Sequence, residues 1–439
     1  MRRPRVVCAF AIIAGLVMVF AGKDLVEPAS GASNVAVARG RMLEVLTDVA
    51  ALVKDNYYDP TLKGLDWKAS VEVARQRIRK ADHQGEMVAA ISGLLTRLGD
   101  SHTYFLPPGR LQPVIFGFQA KAFGEDVRVY QVMRDGPAEA AGLQVGDRIV
   151  GIEDFVATRK LIDEEIRYFV YLDPQLTLNL QIARGGEPPR QIVIKGKQPE
   201  TSSKDFRKEY DEYEKGEEKE SVEGNLVLYD NGQLAYVRFP TFMVPGYEAD
   251  SFLKKAKDAR AVVLDLRNDG GGREDTMKEM AGHFLPEPTQ IGVAISRRKK
   301  EDIIAKPKKP NLSAPLFVLM DSRSASASEI VGRILQLKHR ATLVGDRTAG
   351  KVNRAEFFGG LGGAIWAVPY GVAITISKDV MPDGQELENQ GVDPDVPCVP
   401  TEADLRSGQD PCLAKALALA RRAISATAPA QQSQQDAQR

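Results

Sequence analysis

A multidomain α/β protein is predicted by three changes of pattern along the 439 residues. Residues 37–98 repeat apolar side chains at helical spacing, residues 112–197 break into short β-rich runs between glycine turns, and from residue 225 strands and helices alternate. A chain of this length can bury two or three cores. Lys plus Arg (59) equal Asp plus Glu (59), so charge gives no reason to expect nucleic acid or an anionic surface as the partner.

The elements follow in order. Arg2, Arg3 and Arg5 precede an apolar run at residues 6–22, the pattern of a secretory signal, and Ser30-Gly31-Ala32 offers small residues for a cleavage site. The run is at the short end of what spans a bilayer, so residues 1–32 are either a cleaved signal or an uncleaved anchor. Both readings place the chain outside the cytoplasm, in the periplasm, soluble or tethered to the inner membrane. Residues 36–106 form a helical domain, with Met42, Val45, Leu46, Val49 and Leu52 on one face and Met87, Ile91, Leu94, Leu95 and Leu98 on another. Residues 110–199 form a β-rich domain whose clearest strand is Val127-Arg-Val-Tyr-Gln-Val132. Residues 200–224, nearly free of aliphatic side chains and dense in charge, read as a solvated linker.

Residues 225–397 form the α/β core, with apolar strands at Leu234-Ala-Tyr-Val-Arg-Phe239, Ala261-Val-Val-Leu-Asp-Leu266 and Pro315-Leu-Phe-Val-Leu-Met320. Residues 398–439 are a C-terminal extension whose Gln-, Ala- and Ser-rich tail after Ile424 reads as disordered. Cys8 lies in the signal, and Cys398 and Cys412 are a disulfide candidate in an oxidising compartment. Nothing has zinc-ligand spacing, and no metal or cofactor is implied.

The chemistry centres on Ser326 in Ser322-Arg-Ser-Ala-Ser326-Ala-Ser-Glu329, between a buried-type strand and a helix with Ile330, Val331, Ile334 and Leu335 on one face. The first N–H groups of a helix have no internal partner, so Ala327 N–H can face a developing oxyanion. Locally, Ser326-Ala-Ser-Glu329 also fits a capping box, in which Ser326 would be only a helix cap. Two companions shift the reading towards a nucleophile. Asp265-Leu-Arg-Asn-Asp-Gly-Gly-Gly272 ends a strand in three glycines, and Gly271 is the candidate second oxyanion donor. Lys351 follows Ser326 by 25 positions (351 − 326) and is a candidate general base. To act as one near pH 7 its pKa must fall by about three units from ~10.4, which corresponds to about 4 kcal/mol and is within what desolvation supplies. The stretch Gly345-Asp-Arg-Thr-Ala-Gly-Lys351 nearly spells a phosphate loop, but Val352 stands where that motif needs Ser or Thr.

Together these segments resemble the C-terminal processing, or tail-specific, serine peptidases. The resemblance rests on Lys54-Asp-Asn-Tyr-Tyr-Asp-Pro60, Leu98-Gly-Asp-Ser-His-Thr103, the Asp-Leu-Arg/Gly-Gly stretch, Ser-Ala-Ser-Ala-Ser-Glu-Ile330, Thr-Ala-Gly-Lys351 and Gly391-Val-Asp-Pro-Asp395. It implies a crotonase-like β-β-α core with Ser326 as nucleophile and Lys351 as base. Arg134-Asp-Gly-Pro-Ala-Glu-Ala-Ala-Gly-Leu-Gln-Val-Gly-Asp-Arg-Ile149 resembles a PDZ domain, which adds a peptide to a sheet edge and holds its terminal carboxylate on loop N–H groups, here Phe116, Gly117 and Phe118. Protein or peptide C-termini are the implied substrates, and an activating adaptor or a homo-oligomer is compatible with the family.

Two departures keep alternatives open. Bacterial members carry a glutamine four residues after the lysine, and this chain has Ala355 there. Ser101-His102 together with Glu388 resembles the tricorn-type branch, in which serine, histidine, a second serine and glutamate form a tetrad and His102 rather than Lys351 activates Ser326. Two other classes are a non-catalytic PDZ adaptor and a crotonase-like acyl-CoA enzyme.

Overall fold

The computed structural model describes residues 31–107, 114–169, 175–198, 204, 224–362 and 368–436. The apolar run of the predicted signal lies outside these residues, as does the charged segment at 200–224 apart from 204 and 224.

Three helices open the described chain: α1 (Gly31–Asn56), α2 (Trp67–Lys80) and α3 (Gln84–Thr96). Asp66 caps α2 by accepting the Ala69 N–H at 2.9 Å. The helical repeat buries Met42, Val45, Leu46, Val49, Met87, Ile91 and Leu95 in one cluster. The same cluster takes Phe105 from β1 (Tyr104–Leu106) and Val372 and Ile374 from a later strand, so these helices share their core with a sheet of the α/β region.

The β-rich segment is a five-strand meander with one short flanking strand. Its elements are β2 (Phe118–Phe123), β3 (Asp126–Val132), α4 (Pro137–Ala140), β4 (Arg148–Ile152), β5 (Phe155–Val156), α5 (Ile162–Arg167), β6 (Thr177–Ala183) and β7 (Arg190–Lys195). The strand order is β2-β3-β4-β6-β7, with β5 beside β4, so β2 is an edge strand. Alternating residues Val127, Val129, Leu178, Leu180 and Ile182 fill its core.

The α/β region contains β8 (Asn225–Tyr229), β9 (Leu234–Arg238), α6 (Gly246–Lys255), β10 (Ala261–Asp265), α7 (Glu274–Gly282), β11 (Thr289–Ser296), β12 (Lys300–Ala305), β13 (Leu316–Met320), α8 (Ala327–Leu337), β14 (Ala341–Gly345), β15 (Arg354–Gly362), β16 (Val368–Val380) and β17 (Val396–Pro397). One sheet has the order β17-β14-β13-β10-β9-β8, parallel except for β8. A second sheet, β1-β16-β11-β12 with β15 beside β16, joins the core to the N-terminal helices.

Strands buried on both faces need two covers. Val262, Leu264, Leu316 and Val318 face α6, α7 and α8. Val263, Phe317, Leu319 and Val344 face the C-terminal extension, made of α9 (Glu402–Ser407) and α10 (Pro411–Asp436). The expectation of a disordered tail after Ile424 is corrected here: α10 continues through Asp436. Cys412, Ala416, Ala420 and Ile424 recur every fourth residue and press on the sheet, a stripe made inconspicuous by its alanines, which are also the strongest helix formers. Cys398 and Cys412 form a disulfide with a Cα–Cα distance of 5.6 Å, tying α10 to the end of β17.

Candidate active site

The turns after three adjacent parallel strands, β10, β13 and β14, supply the glycine run, Ser326 and Lys351. In parallel sheets such turns converge at the carboxyl edge, which brings together Gly271, Ser326 and Lys351, separated by 55 (326 − 271) and 25 (351 − 326) positions.

Ser326 follows β13 and precedes the first residue of α8. Its backbone is at φ 55, ψ −115, whereas an ordinary N-cap residue is extended. A non-glycine residue held there is strained, and a sharp strand-to-helix turn of this kind is how a nucleophile is thrust out of its backbone. The turn is stitched from below. Asp321 Oδ1 accepts the Arg323 and Ser324 N–H groups at 3.0 and 3.1 Å, and Ser324 Oγ donates to Leu266 O at 2.8 Å. The Ala325 N–H and the Ser328 hydroxyl both donate to Asp269 O, at 2.9 and 3.0 Å.

The capping-box partner does more than cap. Glu329 is fully buried, and its two oxygens take the N–H groups of Ser326 (3.0 Å), Gly350 (2.8 Å) and Lys351 (2.9 Å) and the hydroxyl of Thr348. One carboxylate thereby fixes the main chain of both the serine and the lysine. Burial pushes its pKa up to about 7, against the pull of the four donors.

Gly271 lies against the serine. With φ 89, a Cβ on it would stand 2.7 Å from Ser326 Cβ and 2.9 Å from Ala327 N, so no side chain fits. Its N–H donates to Asp269 Oδ1 at 2.8 Å, because the Asp269 side chain turns back on its own loop. Ala327 N–H, at the first position of α8, belongs to the helix end that lacks internal acceptors.

The two candidate bases are differently placed. Lys351 Nζ lies 3.7 Å from Asp163 Oδ2, on α5 of the β-rich domain. His102 is buried, and its Nδ1 is 2.7 Å from Ser101 Oγ. The Ser101 N–H donates to Glu388 Oε1 at 2.8 Å, and Glu388 Oε2 takes the Val352 and Asn353 N–H groups at 3.0 and 3.3 Å. Glu388 thus joins the Ser101–His102 turn to the residues just after Lys351. Burial lowers the His102 pKa, and Lys351 lowers it further, against Glu388 and Asp100. The imidazole is therefore neutral near pH 7, with a lone pair to offer. Among the described residues no hydrogen bond joins Ser326 Oγ to either base.

The sequence reading missed several residues that hold this arrangement. Asp100 Oδ1 accepts the His102 and Thr103 N–H groups at 3.1 and 2.8 Å, and its Oδ2 takes the Tyr57 hydroxyl at 2.7 Å. Lys121, on edge strand β2, reaches Asp321 at 2.6 Å and Asn268 at 2.8 Å. Burial raises the Asp321 pKa, but Lys121 and the Asn268 N–H outweigh it and leave the carboxyl at about 2. Ser322 Oγ donates to Ala122 O at 2.6 Å and Arg323 to Ala120 O at 2.9 Å, so the loop leading to Ser326 occupies carbonyls on that edge. Phe116, Gly117 and Phe118 lead into the same strand. Phe116 is in the domain core and Phe118 packs against it, while Gly117, at φ 74, crosses close to Pro137, where a Cβ would approach Pro137 Cδ to 3.1 Å.

A serine on a strained strand-to-helix turn, beside a glycine with no room for a side chain, is the arrangement expected of a serine hydrolase. The comparisons narrow that class. Residues 233–398 match peptidase family S41, 128–163 match a PDZ domain, and 43–95 match the tricorn protease C1 domain. A carboxyl-terminal-processing protease from Synechocystis sp. is 27% identical over 360 residues, covering 78% of each chain. The carboxy-terminal processing protease CtpB of Bacillus subtilis is 24% identical over 350 residues, covering 75% of this chain and 66% of that one. Mature CPAF, solved in complex with lactacystin, superposes with a TM-score of 0.66 at 15% identity, covering 88% of this chain and 99% of that one. Residues 233–398 are thus a peptidase family S41 region and residues 128–163 a PDZ domain, in a serine peptidase similar to the carboxyl-terminal-processing proteases.

Proposed function

We propose that this peptidase cleaves exported proteins that present a free C-terminus, with Ser326 as nucleophile and His102 as general base. The observation that carries the choice of base is the chain Glu388–Ser101–His102, which ends in a buried neutral imidazole, while Lys351 Nζ is engaged by Asp163. Ser326 Oγ attacks the scissile carbonyl, His102 takes the hydroxyl proton, and Ala327 N–H with the glycine turn receives the oxyanion. Collapse of the tetrahedral intermediate returns that proton to the leaving amine and leaves an acyl-enzyme, which water then hydrolyses. Ser101 and Glu388 orient the imidazole. The PDZ domain selects the substrate C-terminus through the loop Phe116-Gly117-Phe118.

A second reading keeps Lys351 as base. It is favoured by Glu329, which holds the Lys351 and Ser326 main chains on the same oxygen. The test is turnover of an unstructured peptide with a free or an amidated C-terminus by wild type, Ser326→Ala, His102→Ala and Lys351→Ala, each prepared without residues 1–30. Ser326→Ala is expected to be inactive, His102→Ala to lose at least a hundredfold in kcat, and Lys351→Ala to keep most of it. Loss confined to Lys351→Ala would transfer the base to the lysine. Full activity of Ser326→Ala would end the proposal, and equal cleavage of the amidated peptide would remove selection by C-terminus.

A further inference from the structure

Asp269 is wholly buried, yet its Oδ2 has no hydrogen-bond partner. The groups facing its carboxyl are the N–H groups of Gly271 and Phe242 and the hydroxyl of Ser328, all of them neutral. Among the described residues no cation acts on it, and burial pushes its pKa well above the ordinary carboxylate range. The residue is also a junction. Its carbonyl holds Ala325 and Ser328, near Ser326 on either side, and its side chain holds Gly271, on which a Cβ would stand 2.7 Å from Ser326 Cβ.

We propose that Asp269 is a positioning residue for the oxyanion site: its carboxyl fixes the glycine turn against Ser326 through the Gly271 N–H. The inference rests on Ser326 being the nucleophile. The uncharged state matters because the substrate carbonyl oxygen becomes negative beside this turn. A carboxylate one hydrogen bond away from Gly271 would repel that charge, whereas a neutral acid holds the loop without opposing it. The main-chain bonds to Asp269 O fix the serine turn whatever the side chain is. Substitution removes the side-chain bond to the Gly271 N–H, which lies in the glycine turn. Its loss is expected to appear in kcat rather than in substrate binding.

Asp269→Asn and Asp269→Ala separate the two parts of the claim. Asparagine keeps an acceptor for Gly271 N–H and cannot ionise, whereas alanine removes the acceptor. In the full chain, with a free-C-terminus peptide, Asp269→Asn is expected to keep kcat within about threefold of wild type. Asp269→Ala is expected to lose about 10- to 100-fold in kcat with KM within about twofold, the scale of a misplaced oxyanion donor. Wild-type kcat in a folded Asp269→Ala would overturn the proposal. A folded Asp269→Asn that loses more than tenfold would also overturn it, and that measurement decides the matter even where the alanine variant does not fold. Ser326→Ala run alongside distinguishes the two failures, since turnover in that variant would refute the nucleophile and not the role of Asp269.

Discussion

Glu329→Gln tests whether one buried carboxylate organises both the serine and the lysine segments. Two donors fall on each oxygen: Ser326 and Lys351 N–H on Oε2, Gly350 N–H and the Thr348 hydroxyl on Oε1. A glutamine amide offers one oxygen, so its NH2 group must face one of these pairs. The less costly orientation turns NH2 towards Thr348, whose hydroxyl can rotate to accept, and leaves the Gly350 N–H unpaired at about 1–3 kcal/mol. The reverse orientation leaves the N–H groups of Ser326 and Lys351 both unpaired, at roughly twice that cost. These losses do not depend on pH. The carboxyl adds a part that does, since burial raises its pKa from 4.5 to about 7. A raised folded-state pKa means that the native protein holds the proton more tightly than the unfolded chain. The associated stability is fully present below about pH 4.5 and is lost as pH rises through about 7, about 3 kcal/mol in all at ~1.36 kcal/mol per unit. Glutamine has no such slope. Urea unfolding of wild type and Glu329→Gln between about pH 5 and pH 8 should therefore show the stability advantage of wild type shrinking by about 2–3 kcal/mol. A constant difference across that range would refute the assignment of a raised pKa. A variant as stable as wild type at both ends would refute the four-donor account.

Three further outcomes follow from the same geometry. Ser326→Gly abolishes turnover yet is expected to raise stability by about 1 kcal/mol in urea unfolding, because glycine accepts φ 55, ψ −115 without strain. Gly271→Ala places a Cβ 2.7 Å from Ser326 Cβ, so kcat is expected to fall at least a hundredfold while Ser326→Ala folds normally; wild-type kcat would show that the glycine turn does not press on the serine. Cys398→Ser, or reduction of wild type, opens the loop between two cysteines 14 positions apart and should lower stability by about 3 kcal/mol, read as a drop in Tm under reductant that the serine variant no longer shows.

Much of the fold was legible because its periodicities are local. The helical spacing within Met42–Leu98, the alternation in Val127–Val132 and the largely apolar strands at 261–266 and 315–320 each report which faces are buried. The PDZ-like turn carried its own signature in glycines and proline. The cover formed by α10 was hidden because its stripe is mostly alanine, which reads equally as helix former and as low-complexity tail. Asp163, Lys121 and Asp269 were illegible for another reason. Each acts on a residue more than a domain's loop away, or on a backbone N–H whose direction depends on how the loop turns, and neither is encoded in spacing.

Ser326 shows where sequence reasoning posed the wrong alternatives. As Ser-x-x-Glu it was either a helix cap or a nucleophile, and the two readings competed. In the structure Glu329 accepts the Ser326 N–H as a capping box requires, while the serine backbone sits outside the extended region a cap normally occupies. The carboxylate also accepts the N–H groups of Gly350 and Lys351, so its anchoring spans two loops and not one helix end. That wider anchoring is what can hold a strained φ 55 in place, since strain of about 1–3 kcal/mol persists only where surrounding bonds over-determine it. The capping pattern is thus the support for the proposed nucleophile, and its glutamate is as much a part of the candidate site as the serine it caps.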